Sequence, residues 1–162
     1  MKKIISIILC VTMLMVTFAF DISETNKTDN TPIILCFSLT GDFDETTTNG
    51  NETRASGLIS SYGLSLEKSG TTLKIYGQTY GSPGVVRTGF KDLVIQRRAS
   101  TSDSWKEYYD FGNLYIDMGA ANLDTTLVVE SGYQYRISCK HYAKKNLLSV
   151  QTIANTSNIV IV

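Results

Sequence analysis

The chain has a single histidine, His141, which stands two residues beyond Cys139. On a strand, residues two apart share a face, so the pair has the disposition of a thiol nucleophile and its base. Such a pair needs a third group to orient the imidazole, and no acid stands at a matching position. Asp103, Asp110, Asp117 and Asp124 recur at steps of seven. An odd step reverses the face of a strand, which separates the carboxylates that acid–base chemistry would pair. Asp42, Asp44 and Glu45 suggest calcium, yet the twelve-residue loop with a central glycine and a closing glutamate is missing. These readings predict no catalytic residue, no metal and no cofactor, and the chain is expected not to be an enzyme.

Groups for non-covalent recognition are more plentiful. Lys140, His141, Lys144 and Lys145 cluster around a predicted hairpin, with Lys144-Lys145-Asn146 at its tip. A basic loop of this kind suits anionic glycans, teichoic acids or acidic protein surfaces, and the competing reading is a solvated turn that keeps the protein soluble. Trp105, Tyr108, Tyr109 and Phe111 form the densest aromatic group. Flat rings offer contact area at low entropic cost, so the group suits sugar stacking or a protein contact. Alternatively, Trp105, Tyr109 and Phe111 point into the core and leave Tyr108 alone outside. The candidate ligand-binding residues are therefore Lys140, His141, Lys144, Lys145, Tyr108 and Trp105.

The elements that must position these groups are strands. Leu73 and Ile75 alternate with Thr72, Lys74 and Tyr76 after the turn signal Ser69-Gly70, and Ser82-Pro83-Gly84 marks the next turn. Phe90 to Arg98 carries Leu93-Val94-Ile95, and the polar run Ala99 to Ser104 breaks it. Trp105, Glu107, Tyr109 and Phe111 then share one face, with Lys106, Tyr108 and Asp110 opposite. Leu123, Thr125, Leu127 and Val129 alternate next, followed by Tyr133, Tyr135, Ile137 and Cys139 against Gln134, Arg136, Ser138 and Lys140. A last pair runs through Leu147 to Ile153 and Ile159 to Val162. About seven short strands separated by turns, with no helical period, predict an all-β antiparallel sandwich or barrel.

Before these strands the composition is different. Lys2 and Lys3 precede an apolar run from Ile4 to Phe20, the pattern of a secretory signal peptide, with Thr17-Phe18-Ala19 placing the cut after Ala19. Leu9 before Cys10 does not fit a lipid-attachment site. Residues 20–54 hold seven acids against two bases, whereas 55–162 hold eight acids against eleven bases. The first part reads as an acidic linker or pro-segment, largely disordered, with one apolar exception, Pro32 to Leu39, which either docks as an edge strand or is simply sticky. The domain is expected from Ala55 to Val162. In an oxidising exterior Cys36 and Cys139 could join leader to domain, but Cys139 is in phase with the apolar face of its strand and reads as a small buried hydrophobe.

Two resemblances refine this. The run Val129 to Cys139, with its Gly132 corner and the tyrosines at 133 and 135, resembles the turn into strand F of fibronectin type III domains. Leu93 to Arg98 followed by Trp105 resembles their strand C leading into C′. The resemblance implies an immunoglobulin-like sandwich in which Tyr135 is the corner tyrosine, its hydroxyl bonded back to backbone near the turn. More widely, Ala55 to Tyr62, Phe90 to Arg98, Gly132 to Arg136 and Tyr142 to Lys145 resemble a family of small secreted proteins of Gram-positive gut bacteria of the Firmicutes. That likeness implies an extracellular single domain and supplies no activity.

The expected function is thus a secreted, non-enzymatic extracellular interaction module, with a carbohydrate-binding module or a small secreted hydrolase or effector as alternatives. Its partner is expected to be a cell-wall polymer, a glycan or an extracellular protein. Three excess positive charges spread over residues 55–162 are too few for a nucleic-acid groove. The lack of a second long apolar segment predicts no membrane partner after signal cleavage.

Overall fold

Period-two alternation sorts the chain into two antiparallel sheets that bury their apolar faces against each other. The structure, a computed structural model, describes residues 32–41 and 53–162. The expected signal peptide, most of the expected acidic leader and the Asp42, Asp44 and Glu45 group lie outside the described residues. Ten strands follow in order: β1 (Ile33–Thr40), β2 (Thr53–Arg54), β3 (Ile59–Ser69), β4 (Thr72–Gly81), β5 (Arg87–Arg98), β6 (Lys106–Ile116), β7 (Ala120–Val128), β8 (Gln134–Lys144), β9 (Val150–Thr156) and β10 (Val160–Ile161).

One sheet runs β1-β7-β4-β3-β2. The other runs β10-β8-β5-β6, with β9 also paired to β8. The chain changes sheet after β4, β6 and β7, which makes β3, β4 and β7 the A, B and E strands of an immunoglobulin-like sandwich. Strands β5, β8 and β9–β10 are then C, F and G, and β6 is C′. Leu66, Leu73, Ile75, Leu123 and Leu127 of the first sheet meet Phe90, Leu93, Ile95, Tyr135 and Ile137 of the second. Each is essentially sealed from water, a burial worth roughly 1.5 to 3 kcal/mol per large apolar side chain.

The corner expected at the start of strand F is present. Tyr135 is fully buried, and its hydroxyl donates to the Glu130 carbonyl oxygen at 2.8 Å. Gly132, at φ 85°, supplies the left-handed turn between the two residues.

Three features depart from the simple alternation. Ile33 to Thr40 is a strand, the edge-strand outcome for that apolar stretch, and it pairs antiparallel with β7 from Ile33 opposite Val128 to Thr40 opposite Asn122. Strand pairing thus begins upstream of Ala55, because the switch in composition marks where alternation becomes regular and not where the sheet begins. Cys36 lies on the exposed face of β1 and Cys139 inside on β8, both free.

The second departure is in β6. Register shifts leave Phe111 and Tyr108 as extra residues, with Leu93 opposite Gly112 and Val94 opposite Asp110, then Ile95 opposite Tyr109 and Gln96 opposite Glu107. A bulge of this kind inverts the phase of everything before it. Tyr108 therefore packs against the core while Trp105 falls outside it, the reverse of the strict alternation. Tyr109 and Phe111 do pack against the core. Third, the last hairpin begins its return strand at Val150, so Leu147 and Leu148 belong to the turn and not to a strand.

Candidate functional site

The Cys139–His141 pair is built into the interior. Both side chains face inward on β8, where His141 has no exposed surface. The Thr79 hydroxyl donates to the Gly89 carbonyl at 3.1 Å, so it receives its own hydrogen bond from His141 Nδ1 at 2.8 Å. That fixes the tautomer and leaves Nε2 as acceptor for the Asn155 amide at 3.3 Å, with the Cys139 sulfur 3.8 Å away. The Tyr62 and Phe90 rings close over the imidazole at 4.9 and 5.6 Å. Burial lowers the histidine to about 4 and raises the thiol to about 12, so at neutral pH both are uncharged. A protonated thiol beside a neutral, sealed imidazole is a packed polar core and not a nucleophile. Among the described residues no group of three or more His, Cys, Asp or Glu could hold a metal ion.

At the corner end of the sandwich the charged and aromatic groups are consumed by one another. Arg97 lies over the Tyr108 ring at 4.4 Å and the Tyr133 ring at 4.5 Å, and it pairs with Glu130 at 2.9 Å. Tyr108 in turn packs edge-on against Tyr135 at 5.5 Å. Outside the same sheet, Trp105 stacks with the Arg98 and Arg136 guanidiniums, each 4.4 Å from its centre. Those guanidiniums are fixed in turn, Arg98 by Gln134 at 2.9 Å and Arg136 by Gln96 at 2.8 Å. A cleft of about 460 Å³ beside this stack is lined by Arg97, Arg98, Lys106 and Tyr133 among others. Trp105 thus already stacks on two cations of its own sheet.

The opposite end carries the β8–β9 hairpin. The structure separates the four residues that the sequence groups there. Lys140 points outward in mid-strand and pairs with Asp92 at 2.8 Å, and His141 points into the core. Only Lys144 and Lys145 reach the hairpin end, and neither makes an ion pair among the described residues. The turn between them and β9 is closed by Asn146, whose side-chain oxygen accepts from the Leu148 and Ser149 amides at 3.0 and 2.9 Å. The Lys145 amide reaches the Ser149 carbonyl at 3.0 Å. Held in this way, Leu147 is 87% exposed and Leu148 98%.

The neighbouring loop reinforces the same end. The Val86 amide donates to the Lys144 carbonyl at 2.9 Å, and Val86 itself is exposed, as is Val150 across the hairpin. Arg87 forms a two-bond pair with Asp117, its Nη2 contact at 2.9 Å, which neutralises that acid beside the lysines. The result is an apolar tip with a positive collar on a hydrogen-bonded turn. The sequence holds a sign of it, since Lys144-Lys145-Asn146 is a turn signal, but Leu147-Leu148 directly after it reads as the start of the next strand.

No family model matches the sequence, and no curated protein matches it. Among solved structures the chain is similar to the GAE domain of GGA2p from Saccharomyces cerevisiae. That likeness has 11% identity over 70% of this chain and 96% of that one, with a TM-score of 0.28.

Proposed function

We propose that this protein is a secreted, non-enzymatic interaction module that binds an extracellular partner through the β8–β9 end of its sandwich. The observation that carries the reading is the exposure of Leu147 and Leu148 on a turn that Asn146 holds in place. Large apolar side chains left almost wholly in water are unfavourable unless something covers them in use. Pre-organisation of the turn means that little ordering entropy is lost on contact. Lys144 and Lys145 give the contact a preference for negatively charged partners, in keeping with an anionic wall polymer, an acidic glycan or an acidic protein surface. The sealed Cys139–His141 pair speaks against a hydrolase built on it, and the cation stacking of Trp105 on Arg98 and Arg136 already engages the indole within its own sheet.

The experiment compares wild type, a Leu147→Ser/Leu148→Ser double variant and Trp105→Ala on an array of anionic wall polymers, glycans and extracellular proteins. The tip variant should lose binding while Trp105→Ala keeps it. Retained binding in the tip variant, or loss confined to a folded Trp105→Ala, would move the site to the indole and favour the carbohydrate reading.

A further inference from the structure

The geometry points to an anionic lipid bilayer as the surface on which the β8–β9 tip docks. This rests on the tip being the binding site and names the partner for it. With 87% and 98% of their surfaces open, Leu147 and Leu148 shield neither each other nor anything else. They do not pack on one another, so a single rigid pocket would have to receive two separate side chains. Fluid acyl chains accept both without a fixed shape.

Charge favours the same partner. Lys144 and Lys145 lie immediately behind the leucines in the chain, where their ammonium groups would meet lipid phosphates while the leucines enter the acyl boundary. Each lysine near an anionic membrane surface is worth about fivefold in affinity. Among the described residues the acid at this end, Asp117, is already paired with Arg87 and does not oppose that attraction. Val86 and Val150 widen the apolar contact around the tip. The expectation of no membrane partner rested on the lack of a long apolar segment, which concerns spanning and not a loop that dips into the interface.

A local reporter separates this contact from anything the N-terminal segment does. In the full chain with Cys10→Ser and Cys36→Ser, Leu148→Cys is labelled with an environment-sensitive dye, Cys139 being buried. Dye emission is followed against vesicles of neutral phosphatidylcholine and vesicles with about one third phosphatidylglycerol. The expected result is a blue shift on the anionic vesicles, at least about tenfold more neutral lipid for the same shift, and at least about tenfold weakening by Lys144→Glu/Lys145→Glu or by high salt. A dye that stays in water on every vesicle, or a shift indifferent to the lysine reversal, overturns the inference. If the dye ignores vesicles but responds to a soluble wall polymer or acidic protein, the lipid assignment fails and the tip remains the binding site. If it responds to none of them, both fail.

Discussion

The two ends of the sandwich are made from similar materials, basic side chains beside large apolar ones, and use them in opposite ways. At the corner end Arg97 is stacked on Tyr108 and Tyr133 and paired with Glu130, and Tyr135 is bonded to the backbone. At the hairpin end Lys144 and Lys145 make no ion pair among the described residues, and Leu147 and Leu148 touch little but water. Aromatic and basic residues signal a binding site only when their contacts are still open. Where they complete one another, as around Arg97, they signal the fold.

That contrast breaks or sharpens on three measurements. The largest effect is expected at the corner. Tyr135→Ala empties a fully buried site and should cost about 3 to 5 kcal/mol, enough to unfold many domains. Tyr135→Phe keeps the ring, loses the hydroxyl's bonds to the Glu130 carbonyl and the Arg97 guanidinium, and should cost about 0.5 to 1.5 kcal/mol. Denaturation midpoints unmoved by both changes would mean that the corner does not hold the sandwich together.

A comparable effect is expected from acid at His141, the sealed group three residues before the end of β8. Burial holds it near 4 in the folded chain, against about 6.5 when unfolded. The unfolded state thus takes up the proton first as the pH falls. Stability is full above about 6.5 and drops by something of the order of 3 kcal/mol on the way to pH 4. Asp92 and Asp117, both held below the usual carboxylate range by Lys140 and Arg87, add a loss of their own only from about pH 5 downward, so the histidine is read between about pH 6.5 and 5. The chain has one histidine, so its NMR signal needs no assignment. Protonation near pH 6.5 in the folded protein would show that water reaches the imidazole.

The smallest effect is expected at the tip. Charge reversal at Lys144 and Lys145, or serine at both leucines, should move the folding free energy by no more than about 0.5 kcal/mol. A large loss of stability there would mean that the tip is structural, and the distinction between the two ends would disappear.

The strand skeleton was legible because apolar residues at alternate positions leave few alternatives. Leu73 and Ile75, Leu123 to Val129, and Tyr133 to Cys139 all lie where their period puts them. The same phase placed His141 on the apolar side, and the structure finds it there. Three things were hidden, for separable reasons. Strand β3 has Ser61 and Gly63 between Ile59 and Leu64, so its period is faint. The bulge at Tyr108 is a property of pairing with β5 and leaves no mark in β6 alone, which is why Trp105 and Tyr108 exchanged sides. At the tip, Asn146 bonds to the next two amides and stops the strand before Leu147-Leu148, although leucines are common enough in strands to conceal the stop.

Strand β1 imposes an order in time. It is made early, yet its partner β7 comes much later in the chain. The bond from the Thr125 hydroxyl to the Cys36 carbonyl joins residues 89 apart. Until residues up to Val128 have been synthesised, Ile33 to Leu39, without one charged side chain, has no edge to join. Closing so long a loop is entropically slow. The β3–β4, β5–β6 and β8–β9 hairpins, by contrast, each pair neighbours in sequence and need not wait. The first strand of the sheet to be made is therefore among the last to dock, and during that interval it is the stretch that chaperones, proteases and other copies of the chain can reach.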